Sequence, residues 1–414
     1  MSFNGANINK LNGGLGRTSD NEDRVIVLVC GLTTTGTVVH KTVYELLDMT
    51  AVEALGITAA SDALNGELTH YHLSEMFRLC PGFTFHLLPV AKTITVADLV
   101  ADVAILGAIR GIKDRNIIGI SGITSAALDV INVDVLALQG MVNAFALEHI
   151  LIDGVILEGI AKTSAGNFFA AGVDIFDLRT LVAANVSVVV GSDPAQMALN
   201  AAYAKRAAVG TVLGMAAVRK VHEDLGSVDI EVKPSSRKGE ESYSLTDQIT
   251  GRWLSASLSD GTPFANLTLA QQKALSNKGY IYVGSFADFS GFYLSGSATA
   301  VTISSDYAYF NLNCIWNKAA RIIRRTLIPK VRSKVPKETS TGYIASTWIS
   351  SAQRAVLDKL QPMINAGNID AADVYINPAQ VVNESTPMAI KAQVQVGDIV
   401  HEFDVDLGLT SKIE

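Results

Sequence analysis

The chain has 414 residues, of which 49% are hydrophobic and only 18% are charged, and its formal net charge is -7. A soluble domain usually has about 25% charged residues, so the deficit favours a protein that buries much of its surface between subunits. An Ala-rich, tightly packed enzyme would show the same composition. The acidic balance argues against nucleic acid and an anionic membrane as the main partner.

The cysteines also limit the function classes. Cys30, Cys80 and Cys314 are widely spaced, and no pair has the spacing of a metal or redox motif. They are expected to be buried, reduced thiols in a cytosolic assembly. Residues 1–17 are polar and rich in Gly and Asn, so no signal peptide is expected. No uninterrupted apolar run approaches the roughly 20 residues that a bilayer requires.

The first 92 residues are predicted to form an arm and the beginning of a core. Residues 1–22 have no helical or strand period, and their glycines prevent a stable helix, so they are interpreted as an extended N-terminal arm, with a disordered tail as the alternative. Residues 23–92 are the first part of the core. They open with the apolar run 25–30, which is typical of a central strand. Short helices are expected in 38–47 and 68–78, and a strand over 83–90.

Residues 93–235 alternate between strand and helix patterns. Strands are predicted at 116–120, 154–159 and 186–191, and a long Ala-rich helical region from Pro194 to about residue 225. This alternation predicts an α/β domain with a parallel or mixed sheet covered on both faces. The polar loop at 233–242 is the best domain boundary.

Beyond the loop, residues 236–310 are interpreted as a connecting segment and 311–397 as a C-terminal domain. The C-terminal domain is predicted to contain helices at 311–328 and 349–365 and strands at 373–377 and 388–396. A further strand over 398–407 alternates apolar and acidic residues with period 2 and opens a C-terminal strand or arm, 398–414. The predicted fold class is therefore mixed α/β and α+β, with extended arms at both ends.

The best enzyme hypothesis places a site at strand ends near Ser121 and Ser192, because ligands of parallel sheets bind at the carboxyl ends of strands. No convergent acid, base and nucleophile accompany these serines. Asp193 before Pro194 is interpreted as a helix N-cap. His70 and His72 are two residues apart on a predicted helix and would not face a common metal. Neither a catalytic residue nor a metal or cofactor is therefore expected.

The most specific local feature is a basic amphipathic helix. On a helical wheel an apolar arc, which includes Trp316, lies opposite Lys318, Arg321, Arg324 and Arg325. Such a one-sided patch in an acidic protein predicts an acidic partner. The last predicted strand has the opposite charge, so the two patches favour head-to-tail contacts between copies, which generate rings or helices. Terminal strands donated to a neighbour's sheet edge would reinforce these contacts.

The order of several short motifs resembles that of contractile phage tail sheath proteins and related contractile injection systems. The motifs are Asn21–Gly31, His72–Phe83, Val209–Val221, Asn277–Ile281, Gly291–Leu294, Ser305–Tyr307, Asn317–Arg321, Ile328–Pro329, Val374–Pro378 and Asp404–Gly408. No single motif is diagnostic. Their order over most of the chain carries the resemblance.

The resemblance implies a non-enzymatic subunit that polymerises as stacked hexameric rings around an inner tube. The sheath would contract to drive the tube through a cell envelope. The implied partners are further copies of the chain, the tail tube protein, and baseplate and tail terminator proteins, with no nucleic acid, membrane or cofactor. The implied location is the contractile tail of a virion, assembled in the bacterial host cytoplasm. A non-contractile tail-associated assembly protein is a further alternative.

The resemblance also assigns residues to surfaces. The tube-facing residues would be Lys318, Arg321, Arg324, Arg325 and Lys330. The residues that exchange strands between subunits would be Ala6, Asn7, Ile8, Leu11, Ile399, His401, Phe403, Val405 and Leu407.

Overall fold

The computed structural model describes residues 24–34, 37–160, 168–169, 174–200, 203, 205–383 and 385–405. The chain divides into two units, with the division between Lys318 and Ala319. The first unit is an α/β unit built on a large sheet. The second is a smaller α+β unit.

The helices and strands of the first unit alternate along most of its length. In chain order they are β1 Ile26–Gly31, β2 Tyr44–Leu46, α1 Met49–Ala54, α2 Ala59–Asn65, α3 Thr69–Leu79, β3 Phe85–Val90, α4 Val96–Ala101, α5 Val103–Gly111, β4 Ile117–Ser121, α6 Asn132–Leu147, β5 Gly154–Glu158, β6 Val182–Ala183, β7 Val186–Val189, β8 Gly191–Ser192, α7 Pro194–Met197, α8 Val209–Val218, β9 Ser257–Leu258, α9 Leu269–Asn277, β10 Tyr280–Ile281, β11 Val283–Gly284, β12 Tyr293–Leu294 and β13 Ala300–Val301. Short 3-10 turns at Leu178–Thr180, Ser235–Arg237 and Phe264–Asn266 connect some of them.

The core of this unit is a seven-stranded sheet in the order β10-β7-β5-β4-β1-β3-β2. Every neighbouring pair is parallel except β2 with β3, which is antiparallel at one edge. Val29 of β1 lies between Leu88 of β3 and Ile120 of β4. These strands are continuous apolar runs because both faces of the sheet are covered. The predicted mixed, largely parallel sheet is confirmed.

Different helices cover the two faces. On one face, α8 contacts the sheet and packs against α3, where a Cβ on Gly210 would lie 2.4 Å from the backbone oxygen of His72. Glycine is required there because the two helix backbones approach so closely. On the other face, side chains of α4, α5 and α6 share one hydrophobic core with Val27 and Val29 of β1.

Two helices expected in this unit differ from the structure. Residues 44–46 form the edge strand β2 because they hydrogen-bond with β3. The Ala-rich region from Pro194 is two separate helices, α7 and α8, with Lys205 between them at a φ of 67°. A left-handed residue cannot continue an α-helix, so high alanine content did not produce one long helix.

The second unit begins within a helix. α10 runs from Phe310 to Leu327, so the division between units falls inside it, and a 3-10 turn follows at Ile328–Lys330. The remaining elements are α11 Ser346–Asn365, β14 Ala371–Ile376 and β15 Ile390–Gln395. The strands β14 and β15 form an antiparallel pair in which Asp373 lies opposite Gln393. Ile349 and Ala352 of α11 form a small core with Ile376 of β14.

The strand predicted over 398–407 is not present in its described residues, 398–405. Residues 398–405 belong to no helix or strand, and residue 407 lies outside the described part. Alternating side chains alone do not make a strand, because its backbone N–H and C=O groups need a neighbouring strand to pair with.

Candidate assembly surfaces

The strand ends considered for an enzyme are closed by contacts within the chain. β1 and β4 lie side by side where the strand order reverses, which is the usual position of a ligand crevice. Here a Cβ on Gly31 would lie 2.1 Å from the backbone oxygen of Gly122, so the loops after β1 and β4 touch. Ser121 directs its hydroxyl to Cys30 Sγ, 3.4 Å away. Burial raises the pKa of the Cys30 thiol to about 12, which keeps it protonated and unreactive.

Two buried carboxylates beside these loops are held by internal hydrogen bonds. Glu158 accepts from the backbone N–H of Gly122 at 2.8 Å and from Arg206 at 3.1 Å. Glu67 accepts from the backbone N–H of Thr33 at 2.7 Å and lies 3.0 Å from Lys92 Nζ. The cavity between these side chains has a volume of about 10 Å³. That is about the space of one water molecule, so a substrate does not fit.

The second serine proposed for the enzyme site is also used internally. Ser192 donates its hydroxyl to the carbonyl of Arg206 at 2.8 Å. Asp193 caps α7 by accepting from the backbone N–H of Ala195 at 3.0 Å, as predicted, and it also accepts from the backbone N–H of Trp253. Burial raises the pKa of Asp193. These hydrogen bonds join β8 and α7 to Arg206, which lies before α8, and to Trp253, which lies before β9.

The histidine pair lies on α3 and not on a strand. His72 is buried and accepts from the backbone N–H of Gly210 at 3.2 Å, and burial lowers its pKa to about 3. The Nε2 atom of His70 lies 3.6 Å from Oε1 of Glu53. Within the described ranges, no group of three or more His, Cys, Asp or Glu side chains could hold a metal ion. In the same part of the chain, no helix is long and apolar enough to cross a membrane.

Buried asparagines hold the first half of α10 against the amino ends of the sheet strands. Asn313 donates to the carbonyl of Ala184, just before β7, at 2.7 Å. Asn317 donates to Asp153 Oδ1, just before β5, at 2.9 Å. Sequence reasoning assigned no role to these amides. Their signal is a set of uncharged polar residues placed among apolar ones, which is unusual for a simple core helix.

The first residue of α10 adds a packing contact to this anchor. A Cβ on Gly154, the first residue of β5, would lie 2.4 Å from the ring of Phe310. The guanidinium of Arg24 stands over the same ring at 5.7 Å from its centroid. Only glycine leaves space for the ring there, so the start of β5 and the start of α10 fit each other.

The basic side chains follow the anchored part of α10. Arg324 and Arg325 are exposed, and Lys318, Arg321 and Lys330 are half-buried. No acidic residue lies in α10, so no carboxylate separates the cations within the helix. Together with Lys330, in the turn that follows, they form a basic segment. What they contact in an assembly stays a prediction.

Trp316 does not lie on the buried face that the helical wheel predicted. Its side chain is 47% exposed, and its ring packs edge-on against Tyr307 at a centroid distance of 6.3 Å. The wheel placed the buried face by hydrophobicity alone, whereas buried Asn313 and Asn317 occupy part of that face.

The proposed strand-exchange residues are only partly within the described chain. Phe403 and Val405 are exposed, His401 is also on the surface, and Ile399 is half-buried. The remaining proposed residues lie outside the described residues: Ala6, Asn7, Ile8, Leu11 and Leu407. The structure brings none of the described ones into a strand.

Solved structures with a similar fold cover nearly the whole chain. The contracted helical sheath of the anti-feeding prophage (AFP) has 16% identity and a TM-score of 0.60, covering 100% of each chain. The contracted PVC sheath complex of an extracellular contractile injection system has 12% identity and a TM-score of 0.57, covering 100% of this chain and 98% of that chain. A chain of the AFP baseplate structure has 15% identity and a TM-score of 0.60, covering 99% of each chain. No curated protein sequence matches the chain.

Family models also match both parts of the chain. The model "DUF2586, N-terminal domain" matches residues 3–298, and the model "DUF2586, C-terminal domain" matches residues 306–414. The chain therefore belongs to the DUF2586 family, and its fold is that of contractile sheath proteins.

Proposed function

We propose that this protein is the structural subunit of a contractile sheath. It polymerises as stacked hexameric rings around an inner tube, and the polymer shortens to drive the tube through a cell envelope. The observation that carries the proposal is the full-length similarity in fold to the AFP helical sheath, with a TM-score of 0.60 over 100% of each chain. A shared domain inside an unrelated protein would not match from end to end.

The closed strand ends support a structural role and not catalysis. Glu67, Glu158 and Ser192 are all used in internal hydrogen bonds that tie loops together. An active site keeps its reactive groups convergent on a space that a substrate can enter. Here the space between the loops is about 10 Å³.

Neighbouring subunits would be linked by strand exchange. In the described part of the chain, β14 and β15 pair only with each other, so each leaves one edge to which another strand can be added. An added strand supplies backbone hydrogen bonds without requiring a new core. The donors would be the C-terminal residues Ile399, His401, Phe403, Val405 and Leu407 and the N-terminal residues Ala6, Asn7, Ile8 and Leu11.

The remaining partners follow from the same role. The basic residues Lys318, Arg321, Arg324, Arg325 and Lys330 would face acidic groups on the tail tube protein. The ends of the polymer would contact baseplate and tail terminator proteins. The assembled particle would be a phage tail or a related injection system, put together in the bacterial host cytoplasm.

Electron microscopy of the purified full-length protein over a range of concentrations tests this function. We expect rings or hollow tubes of uniform diameter.

Deletion of residues 2–20 should abolish polymerisation while the subunit keeps its thermal unfolding transition. A Gly/Ser segment of the same length in place of 2–20 separates the loss of sequence from the loss of chain length. A monodisperse monomer at high concentration would contradict the proposal.

A further inference from the structure

A small cavity lies where the beginning of α3 meets the carboxyl ends of the sheet strands. The acidic, basic and imidazole side chains that line it are those of Glu67 just before α3, His72 of α3, Lys92 after β3, Glu158 at the end of β5 and Arg206 before α8. We name it the α3 cavity, defined by these five residues. Its volume is about 10 Å³.

His72 brings a hydrogen-bond donor without a partner to this cavity. Its Nδ1 accepts from the backbone N–H of Gly210 at 3.2 Å, so in the neutral ring the proton is on Nε2. Burial lowers the pKa of the ring to about 3, which keeps it neutral at physiological pH. The Nε2 atom is buried and has no hydrogen-bond partner among the described residues. A buried N–H left in this way costs stability, so the ring requires an acceptor.

The carboxylates of the cavity have unused accepting capacity. Oε1 of Glu67 accepts from the backbone N–H and the hydroxyl of Thr33 at 2.7 and 2.6 Å, and it lies 3.0 Å from Lys92 Nζ. None of these three donors uses Oε2. Oε1 of Glu158 accepts only a long hydrogen bond of 3.3 Å, from the backbone N–H of Ala207. Each carboxylate oxygen has about two lone pairs, so both side chains can accept a further bond.

The charges around the cavity favour a neutral occupant. Glu67 is paired with Lys92, and Glu158 with Arg206 at 3.1 Å, so each carboxylate is already neutralised. A cation bound here would face the N–H of His72 and the guanidinium of Arg206, and an anion would lie beside both carboxylates. A neutral molecule that accepts one hydrogen bond and donates others meets neither conflict.

We propose that the α3 cavity binds one ordered water molecule, which accepts from Nε2–H of His72 and donates to the carboxylates of Glu67 and Glu158. The size agrees, because a buried water occupies roughly 10–15 Å³ of such space and makes about two to four hydrogen bonds. A larger polar solute does not fit.

The bound water would have a structural role in the subunit. It would connect α3 to the turn before it and to the end of β5, beside the loops after β1 and β4, where parallel sheets usually bind a ligand. It would thus complete the closure of these strand ends. The inference concerns the single subunit and stands whether or not the protein polymerises.

A high-resolution crystal structure of disassembled full-length subunits tests the proposal without a variant. Crystals are soaked in sodium bromide or in rubidium chloride, since both ions give anomalous scattering. We expect a density peak within hydrogen-bond distance of Nε2 of His72 and of a carboxylate oxygen, without anomalous signal in either soak. A bromide or a rubidium signal at this peak would replace water by an ion and overturn the proposal. A cavity without density would overturn it as well.

Nuclear magnetic resonance tests the same hydrogen bond in solution. In subunits with ¹⁵N-labelled histidine, we expect the His72 signal of a neutral ring with its proton on Nε2, and a cross-peak from this proton to a long-lived water. His72→Asn assigns the signal by its loss, and its amide oxygen keeps an acceptor for the N–H of Gly210. A proton found on Nδ1, or an Nε2–H signal without a cross-peak to water, would overturn the proposal.

Discussion

Asp62 is a buried carboxyl group at the junction of two helices. It lies on α2 and accepts from the backbone N–H of Tyr71 on α3 at 3.2 Å. Burial, with a smaller contribution from the nearby charge of Glu67, raises its pKa from 3.8 to about 7. The loss of solvation therefore outweighs the stabilising hydrogen bonds to the charged form.

The sign of the resulting pH dependence follows from proton uptake. Between pH 4 and pH 7 the folded protein holds a proton on Asp62 that the unfolded chain has lost, so this group makes stability fall as the pH rises. His72 acts in the opposite direction. Its pKa is lowered from 6.5 to about 3, so between these pH values the unfolded chain binds a proton that the folded protein does not. Stability from this group is therefore complete above pH 6.5 and is lost as the pH falls below that value.

Replacing Asp62 with asparagine should remove one of these two contributions. We expect Asp62→Asn to be more stable than the wild type at pH 8, by on the order of 2–4 kcal/mol, with the difference vanishing near pH 4. Urea unfolding of disassembled subunits at several pH values measures this, and the difference between the two proteins cancels the effect of His72. Asp306→Asn, at an exposed carboxyl group, is the control. A difference that does not change with pH would contradict the assignment.

At the residue scale, the sequence predicted features that depend on near neighbours in the chain. The N-cap at Asp193 followed from the proline beside it, and the structure confirms it. The environment of Asp62 could not be predicted, because it depends on a backbone N–H nine residues away on another helix. The closure of the strand ends depends on Gly31 and Gly122, which are brought together only by the sheet.

At the scale of elements, continuous apolar runs identified the central strands β1, β4 and β5 because burial on both faces leaves a simple pattern. The Ala-rich sequence after Pro194 predicts a long helical region, whereas the structure has two separate helices there, α7 and α8. Differences in helix propensity amount to only a few tenths of a kcal/mol per residue, so tertiary packing overrides them. The position of Trp316 was missed for a related reason, since hydrogen-bonded asparagines compete with apolar side chains for the buried face.

The basic segment of α10 gives a prediction for this single element. Reversing the charge in Arg321→Glu, Arg324→Glu and Arg325→Glu together should weaken binding of the subunit to an acidic tube while self-assembly is retained. Attraction across such a contact depends on salt, so wild-type binding should fall as the ionic strength rises, and the variant should lose this dependence.

Co-sedimentation of preformed tubes with this protein measures the binding. Lys273→Glu, on the exposed side of α9, is the control for a charge reversal elsewhere in the chain. Unchanged tube binding by the triple variant would show that α10 does not face the tube. Loss of self-assembly would instead place these arginines at a contact between copies of the chain.

At the scale of the whole molecule, residues 398–405 pair with no strand in the part of the chain that the structure describes. Residues 398–405 belong to no helix or strand, although their alternating pattern is that of a strand. The sequence pattern therefore describes a strand that residues 398–405 do not form in the described part of the chain. A low content of charged residues, 18%, agrees with a protein whose native surface is completed by assembly.

Strand exchange requires backbone N–H groups, which proline lacks. Successive N–H groups of a strand point to opposite sides, so when a donated strand pairs along one edge, one of two neighbouring positions donates to the partner.

We expect that Glu402→Pro or Phe403→Pro, whichever removes the bonded N–H, abolishes polymerisation. Glu402→Thr and Phe403→Thr keep the N–H and should polymerise at least in part. Both pairs of variants should leave unfolding of the disassembled subunit unchanged, because neither residue is part of a helix or strand there. If both proline variants formed tubes as the wild type does, the link would not be a strand at these positions, and side-chain contacts of Phe403 would have to hold the copies together.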